Sequence, residues 1–349
     1  MSDINVSVEQ VAEVLVHPNA DKLEIVKILG TQTIAPKGEY KVGDRVIFFP
    51  PDILIPPEVS QELGVQKYLK GCMLKGQKLP CRVAACRLRG VPSYGFIIRA
   101  NCDLPIGSDV STHYQAEKYE PPNMDRRRFQ GDCAADHPAF HRYTDIQNYY
   151  RYPTAIPDGM LVRMTEKIHG TNSRVGYIGG SVMAGSHKTN RKEFDAAGNR
   201  SLYWRPWTPA TQKLLIALGD HDVVVFGELY GPGIQDMDYG IVPGEVGYQV
   251  FDITIDGQYM NWDVLQAVCV VCGIATVPLL YSGPFSKTIL DACTDGPTTL
   301  GSVRSKFKGR EGVVVTPLQE THSDILGGRL ILKNKSVDYL DRRGALDNE

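Results

Sequence analysis

Apolar residues come in short runs over the first hundred positions: VAEVLV, LEIVKILG, RVIFFP, CRVAACRL and YGFIIRA. Each run is of strand length, and Gly and Pro break the chain between them, as in PKGEYKVGD and FPPDILIPP. Closely spaced short strands separated by turn residues predict a small all-β barrel over residues 1–105. The pattern then dissolves. Residues 106–150 are polar, rich in Asp, Arg and Pro, and weakly periodic, which predicts a linker leading into a second unit.

Over residues 151–349 the strand pattern returns with longer elements: MLVRMTEKI, SRVGYI, SVMAGS, VVVFGELY, YQVFDITI, GVVVTPL and RLILKNKS. Asp256-Gly257 lies between FDITI and QYMNW and is a hairpin-turn signal. Helices are expected at TPATQKLLIALGD and NWDVLQAVCVVCG. The regular alternation of a doubly wound sheet is missing, so the expected second unit is α+β, built on antiparallel sheets. Few residues follow the last expected strand, which leaves no room for a further C-terminal domain.

The chain has 349 residues, 42% hydrophobic and 22% charged, which suits two domains of ordinary globular composition. No apolar stretch is long enough to span a bilayer, and MSDINVSVEQVAEV lacks the basic start and apolar core of a signal peptide. The expectation is a cytoplasmic protein, with the nucleus also open and no membrane partner. A net charge of −2 does not announce a nucleic-acid binder, although a local groove can be positive on a neutral protein. Basic clusters occur at Arg126-Arg127-Arg128, at Lys188, Arg191 and Lys192, and at Arg304, Lys306, Lys308 and Arg310. The first reads as a solvated face. The eight cysteines have no regular spacing and read as reduced thiols. Cys269 and Cys272 sit inside an apolar run and read as packing. Cys133, His137 and His141 would align on a helix, but Pro138 argues against one there.

Four clusters carry candidate chemistry. Glu166-Lys167-Ile168-His169-Gly170-Thr171-Asn172 puts a lysine at the end of an apolar strand, in a Gly-containing turn. Phe226-Gly227-Glu228-Leu229-Tyr230-Gly231 puts a carboxylate at the exit of a buried strand, and Arg310-Glu311-Gly312 puts another where a further buried strand begins. In Leu332-Lys333-Asn334-Lys335 the two lysines stand two apart on a strand and so share a face. Like charges so placed repel unless water or an anion lies between them, and a phosphate is the natural anion.

Together and in this order, with Tyr248-Gln249-Val250-Phe251-Asp252-Ile253 as the aromatic strand, the clusters resemble the motifs of the covalent nucleotidyltransferases. These are the ATP-dependent RNA and DNA ligases and the mRNA-capping enzymes. DNA ligases and capping enzymes usually carry Lys-x-Asp-Gly. Lys-Ile-His-Gly-Thr-Asn is similar instead to the RNA ligases that join a 3′-OH to a 5′-phosphate. The N-terminal segments His17-Pro18-Asn19-Ala20-Asp21-Lys22-Leu23 and Leu88-Arg89-Gly90-Val91-Pro92-Ser93-Tyr94-Gly95 look like the paired signatures of the tRNA-binding OB fold. A barrel placed before the transferase unit resembles the Deinococcus- and Naegleria-type RNA ligases.

The resemblance implies a reaction in three transfers. Lys167 attacks the α-phosphate of ATP, AMP passes to an RNA 5′-phosphate, and the RNA 3′-OH then displaces AMP. Lys167, Glu228, Glu311, Lys333 and Lys335 become the catalytic set, with Glu228 and Glu311 holding Mg²⁺ or Mn²⁺. Glu166, Ile168, Lys188 and Phe251 become nucleotide contacts, Phe251 by stacking on adenine, although core packing suits Phe251 equally well. Asn172 and Lys188 would meet the RNA end. His169 reads as part of the loop scaffold. An unperturbed lysine titrates near about 10.4, so Lys167 is expected to be shifted down by the metal and by Lys333 and Lys335. The implied substrates are ATP and a nicked duplex or broken RNA strand bearing 3′-OH and 5′-phosphate, and the protein is expected to be a monomer. The alternatives are a DNA ligase, a GTP-using capping-type guanylyltransferase, or an RNA- or tRNA-binding protein with an inactive transferase unit.

Overall fold

The computed structural model describes residues 5–339 apart from 30, 75–76, 120–129, 302–306, 324, 327 and 337. The strand Arg45–Phe49 organises the N-terminal unit because both of its faces are apolar. Ile47 and Phe49 join Val6, Val8, Ile53, Ile55 and Val83 in one cluster, and Val46 and Phe48 join Val11, Val26, Ile28 and Tyr40 in another. A strand buried on both sides reads as a continuous hydrophobic run, as RVIFF does. It pairs antiparallel with Ser7–Gln10 and Phe96–Arg99. Around it lie a three-stranded meander and a four-stranded sheet that includes Lys70–Leu74 and Gln77–Arg82. The result is the expected all-β, OB-type unit. Its two signature segments bind each other: His17 Nε2 meets Leu88 O at 3.0 Å and Asn19 Nδ2 donates to Arg89 O at 2.9 Å. Gly95 takes φ +76°, and a Cβ there would lie 2.1 Å from Phe49 O, so only glycine fits.

One expectation about the cysteines is corrected. Cys72 and Cys81 are joined as a disulfide across the two strands of a hairpin, because antiparallel pairing brings Cys72 opposite Leu79 and so close to Cys81. The other six are free thiols. Cys269 is buried in the helix Trp262–Cys272, where burial pushes its thiol up to about 12. His137 and His141 bond to local backbone and to Thr254, and no metal-ligating group of three is found among the described residues. Nor is any helix there long and apolar enough to cross a membrane.

The C-terminal unit is two facing sheets, each covered outside by helix. The six-stranded sheet runs, in spatial order, Asn190–Arg191, Ser181–Ser186, Thr171–Ile178, Val223–Tyr230, Gly247–Ile255 and Gln258–Tyr259. Val223, Val225, Val250 and Ile253 pack outward on Leu214, Leu215, Leu265 and Cys269 of two helices, Pro209–Ala217 and Trp262–Cys272. The five-stranded sheet is Gln147–Asn148, Leu332–Lys335, Gly312–Pro317, Leu161–Glu166 and Leu279–Pro284. Val162, Met164, Val313 and Val315 pack outward with Leu290 of the helix Lys287–Thr294. The space between the sheets is filled by Phe140, Tyr143, Val224, Phe226 and Ile331.

The segment 106–150 is not a plain linker. Glu117–Lys118 pairs with the barrel strand Ile53–Leu54, whereas Phe140 and Tyr143 plug the inter-sheet space and Gln147–Asn148 adds an edge strand parallel to Leu332–Lys335. Its aromatic residues are too sparse to register as periodicity. The two units also touch through Tyr94 and Tyr150, ring centroids 4.9 Å apart. Arg126, Arg127, Arg128, Arg304 and Lys306 lie outside the described residues.

The sheets are pinned together by charge. Asp252, 1% exposed, accepts from Arg163 Nη2 of the other sheet at 3.2 Å, from Arg329 Nη1 and Nη2 at 2.8 and 3.1 Å, and from the Tyr143 hydroxyl. Burial alone would raise this carboxyl, but Arg329 and then Arg163 outweigh it and hold it below the usual carboxylate range. The stabilisation is therefore complete above the unfolded carboxyl value of about 3.9 and is lost as pH falls through the lower folded value. Asp252→Asn should cost on the order of 3–5 kcal/mol, since it leaves the buried Arg163 guanidinium without its carboxylate, whereas Arg329 keeps Glu320. Thermal melts from pH 7 down into acid should show the gap between wild type and variant closing.

Candidate active site

Lys167 leaves the end of Leu161–Glu166, and its backbone N–H donates to Gly312 O at 3.0 Å, which ties the loop to the next strand. Gly170 passes so close to the six-stranded sheet that a Cβ would lie 2.1 Å from Leu229 O. Two glycines thus bring the key carboxylates near the lysine, for Gly312 takes φ +151° with no room for a Cβ beside Asn334 O. Lys167 Nζ lies 2.8 Å from Glu311 Oε1, and Lys335 Nζ lies 3.2 Å from the same oxygen. Asn334 reaches outward to Thr294 Oγ1, so alternation turns Lys333 and Lys335 inward, toward the six-stranded sheet. Glu228 is on that sheet, directly paired with Asn172.

The charges are strongly coupled. Burial would raise Glu311, but Lys167, His169 and Lys335 together hold it far below the carboxylate range. Burial pushes Glu228 up to about 8, Lys167 opposing and Glu311 reinforcing the shift. Burial would lower Lys167, but Glu311 and then Glu228 outweigh it, so the ammonium is stabilised. In the protein alone the two carboxylates thus hold the lysine charged, and the expected lowering falls to the divalent ion.

His169, 5% exposed, is tied into the frame around the loop. Its Nε2 meets Asp236 Oδ1 at 2.8 Å, its Nδ1 meets the Tyr339 hydroxyl at 3.1 Å, and its backbone N–H donates to the Tyr239 hydroxyl. Its Nδ1 is also 3.5 Å from Glu311 Oε2, too long for a full hydrogen bond. Glu311 Oε2 and Asn172 Oδ1 are buried oxygens without a hydrogen-bond partner among the described residues. Hard oxygen donors left unsatisfied beside Glu228 suit a magnesium-like cation, which needs few protein ligands because it keeps most of its water. Asp236, Tyr239 and Tyr339 were not anticipated. The pattern QDMDYG soon after Glu228 was the available signal for the first two.

The remaining predicted residues divide. Glu166 is 1% exposed, and its carboxylate takes Thr298 Oγ1 at 2.5 Å, Thr299 N–H at 2.8 Å and Thr299 Oγ1 at 2.6 Å. Ile168, 3% exposed, belongs to the apolar core under the helices. Both side chains are engaged by the protein itself, which leaves backbone groups for the expected nucleotide contact. Phe251 is the extra residue of a β-bulge between the pairs Phe226↔Asp252 and Gly227↔Val250, and packs edge-on to Tyr143 at 4.8 Å. It is half-buried and reaches both apolar clusters. Lys188 lies half-exposed in the turn between Ser181–Ser186 and Asn190–Arg191, at the sheet end where Asn172 stands.

A family model described as RNA ligase matches residues 161–335, and an OB-fold domain model matches residues 5–100. Among solved structures, Naegleria gruberi RNA ligase with ATP and Mn, a lysine-to-alanine variant, is similar at 22% identity with a TM-score of 0.72. The match covers 97% of this chain and 99% of that one. The same enzyme with PPi matches at 22% identity and TM-score 0.72, over 97% and 98%. At this identity the likeness speaks for the fold. No curated protein matches the chain by sequence.

Glu166→Gln keeps the size of the side chain and removes one charged acceptor from the 298–299 loop. It should lower stability by about 1–3 kcal/mol and leave ATP affinity nearly unchanged, measured by melting and by equilibrium binding side by side. A large loss of ATP affinity with an unchanged melting point would give the Glu166 side chain a nucleotide-binding role.

Proposed function

The chain belongs to the RNA ligase family, and we propose that it seals RNA 3′-OH and 5′-phosphate ends with ATP, through AMP carried on Lys167. The observation that carries this reading is the Lys167–Glu311–Lys335 cluster, 2.8 and 3.2 Å across, facing Glu228 between the sheets. A nucleophilic amine must first be neutral. Lys167 is held as an ammonium by Glu311 and Glu228, so its proton affinity would fall where these carboxylates are engaged by a bound cation instead. Glu228 and Glu311 would hold the divalent ion, with Asn172 Oδ1 beside them. When bound, that ion supplies positive charge to the phosphates.

The protein's own contributions follow from position. Glu311 Oε1 is the nearest acceptor to Lys167 Nζ and orients it. Lys333 and Lys335, on one inward face, neutralise charge growing on the α-phosphate as pyrophosphate departs. Phe251, brought into the inter-sheet space by its bulge, offers an aromatic face to the base. Asn172 and Lys188 stand at one end of the sheet for the RNA phosphate. The barrel, over residues 1–105, contributes RNA-binding surface. The protein works as a monomer in the cytoplasm.

The test is incubation with α-labelled ATP and a divalent ion, followed by a chase with nicked duplexes whose 3′-OH strand is RNA or DNA. Wild type should acquire covalent label and seal only the RNA strand, and Lys167→Ala should acquire none. Failure of wild type to label with any nucleotide would replace this reading by an RNA-binding protein with an inactive transferase unit. Lys335→Ala should label more slowly by about a hundredfold or more, the usual scale for a lost charge-stabilising group, followed as the initial rate of label incorporation.

A further inference from the structure

Arg174 is a buried cation that the proposed reaction does not use. It is 2% exposed and lies two residues beyond Asn172 on the same face of Thr171–Ile178. Its three hydrogen bonds all go to neutral acceptors: Nε to Ser186 O at 3.0 Å, Nη2 to Asn190 Oδ1 at 2.8 Å and Nη1 to Phe140 O at 2.5 Å. The guanidinium also lies over the Phe140 ring, 4.4 Å from its centre. Asp136 attracts this cation and Arg142 repels it, but burial outweighs the attraction and the hydrogen bonds all end on neutral acceptors, so the retention of a buried charge here calls for a reason.

The acceptors supply one. Ser186 and Asn190 are the two ends of the turn that carries His187 and Lys188. Ser186 N–H donates to Thr189 O at 2.9 Å to close that turn, and a Cβ on Gly185 would lie 2.6 Å from Thr189 O. The strand register sets Ser186 opposite Ser173, so the turn projects beside Asn172. Arg174 is therefore bonded to both ends of the Lys188 turn and rooted on the strand of Asn172.

We infer that Arg174 is a positioning residue for the RNA 5′-phosphate: it fixes the Lys188 turn relative to Asn172 so that the two side chains converge on one anion. This inference rests on the ligase reading above. A planar fork with several donors in fixed directions can brace three acceptors at once, which a lysine ammonium cannot do on the same geometry.

The experiment separates the steps of the reaction. Full-length wild type, Arg174→Lys, Asn190→Ala, Lys188→Ala and the Arg174→Lys/Lys188→Ala double variant are each loaded with labelled ATP. Transfer of AMP from protein to a 5′-phosphorylated RNA nick is then timed against RNA concentration. Arg174→Lys should load within about twofold of wild type yet transfer AMP about tenfold or more slowly with a raised RNA KM, the scale expected of a misplaced contact. In the Lys188→Ala background the same change should add almost nothing, since both act through one turn. Asn190→Ala, which removes one of the three Arg174 bonds together with the bond from Asn190 Nδ2 to Ala135 O, should show a smaller loss of the same kind and decides the matter if Arg174→Lys does not fold. Equal losses in loading and transfer, or fully additive losses with Lys188→Ala, overturn the inference alone. Absence of loading in wild type overturns the ligase reading and this inference with it.

Discussion

The placement of everything else in the C-terminal unit depends on one carboxylate. Asp252 stands on one sheet and is held by Arg163 of the other, by Arg329 and by Tyr143. An ionised carboxylate at that depth persists only with such partners. Because they come from separate stretches of chain, satisfying Asp252 fixes the spacing of the two sheets. Arg163 stacks on Trp262 at 4.2 Å and Arg329 on Tyr259 at 3.8 Å, so the guanidinium planes are themselves held by aromatic faces. Glu228 of one sheet faces Lys167 and Glu311 of the other across the gap that this arrangement defines.

The catalytic end of the same gap follows the opposite logic. Asp252 has more cationic partners than it needs, whereas Glu311 keeps one oxygen unmatched and Glu228 is raised by burial. The first carboxylate is finished and structural, and the other two are ready to exchange partners. His169 lends the unfinished end its rigidity through Asp236, Tyr339 and Tyr239, so that loose electrostatics sit on a firm frame.

Much of this was legible in the sequence. Runs such as SVMAGS and VVVFGELY are strands, and Asp256-Gly257 makes its turn with φ of 50° and 79°. The motif order foretold that Lys167, Glu311 and Lys335 would meet. What stayed hidden depends on distance along the chain or on a lost count. Tyr143 and Asp252 are 109 residues apart and carry no local mark of each other. The strand Leu279–Pro284 contains Gly and Pro and so did not read as one, although it pairs along its length with Leu161–Glu166. Glu166 looked exposed to ligand because its threonine partners come from 132 and 133 residues away. The cysteine pair was missed because nine residues of separation say nothing until a hairpin folds them together.

The bulge at Phe251 alters how its strand can change over time. Val250 and Ile253 are both fully buried against the helices although three positions apart, a spacing that an uninterrupted strand would place on opposite faces. The strand is thus two half-strands spliced out of phase, with Phe251 as the splice. Deleting that one residue would restore a single phase in which Val250, Asp252 and Ile253 keep the faces they have, so the extra residue is not needed to place its neighbours. Its role is to carry one more side chain at the edge of the gap. Position 251 can accordingly drift among aromatic and aliphatic residues, retuning what the gap accepts without disturbing the carboxylate that pins the sheets.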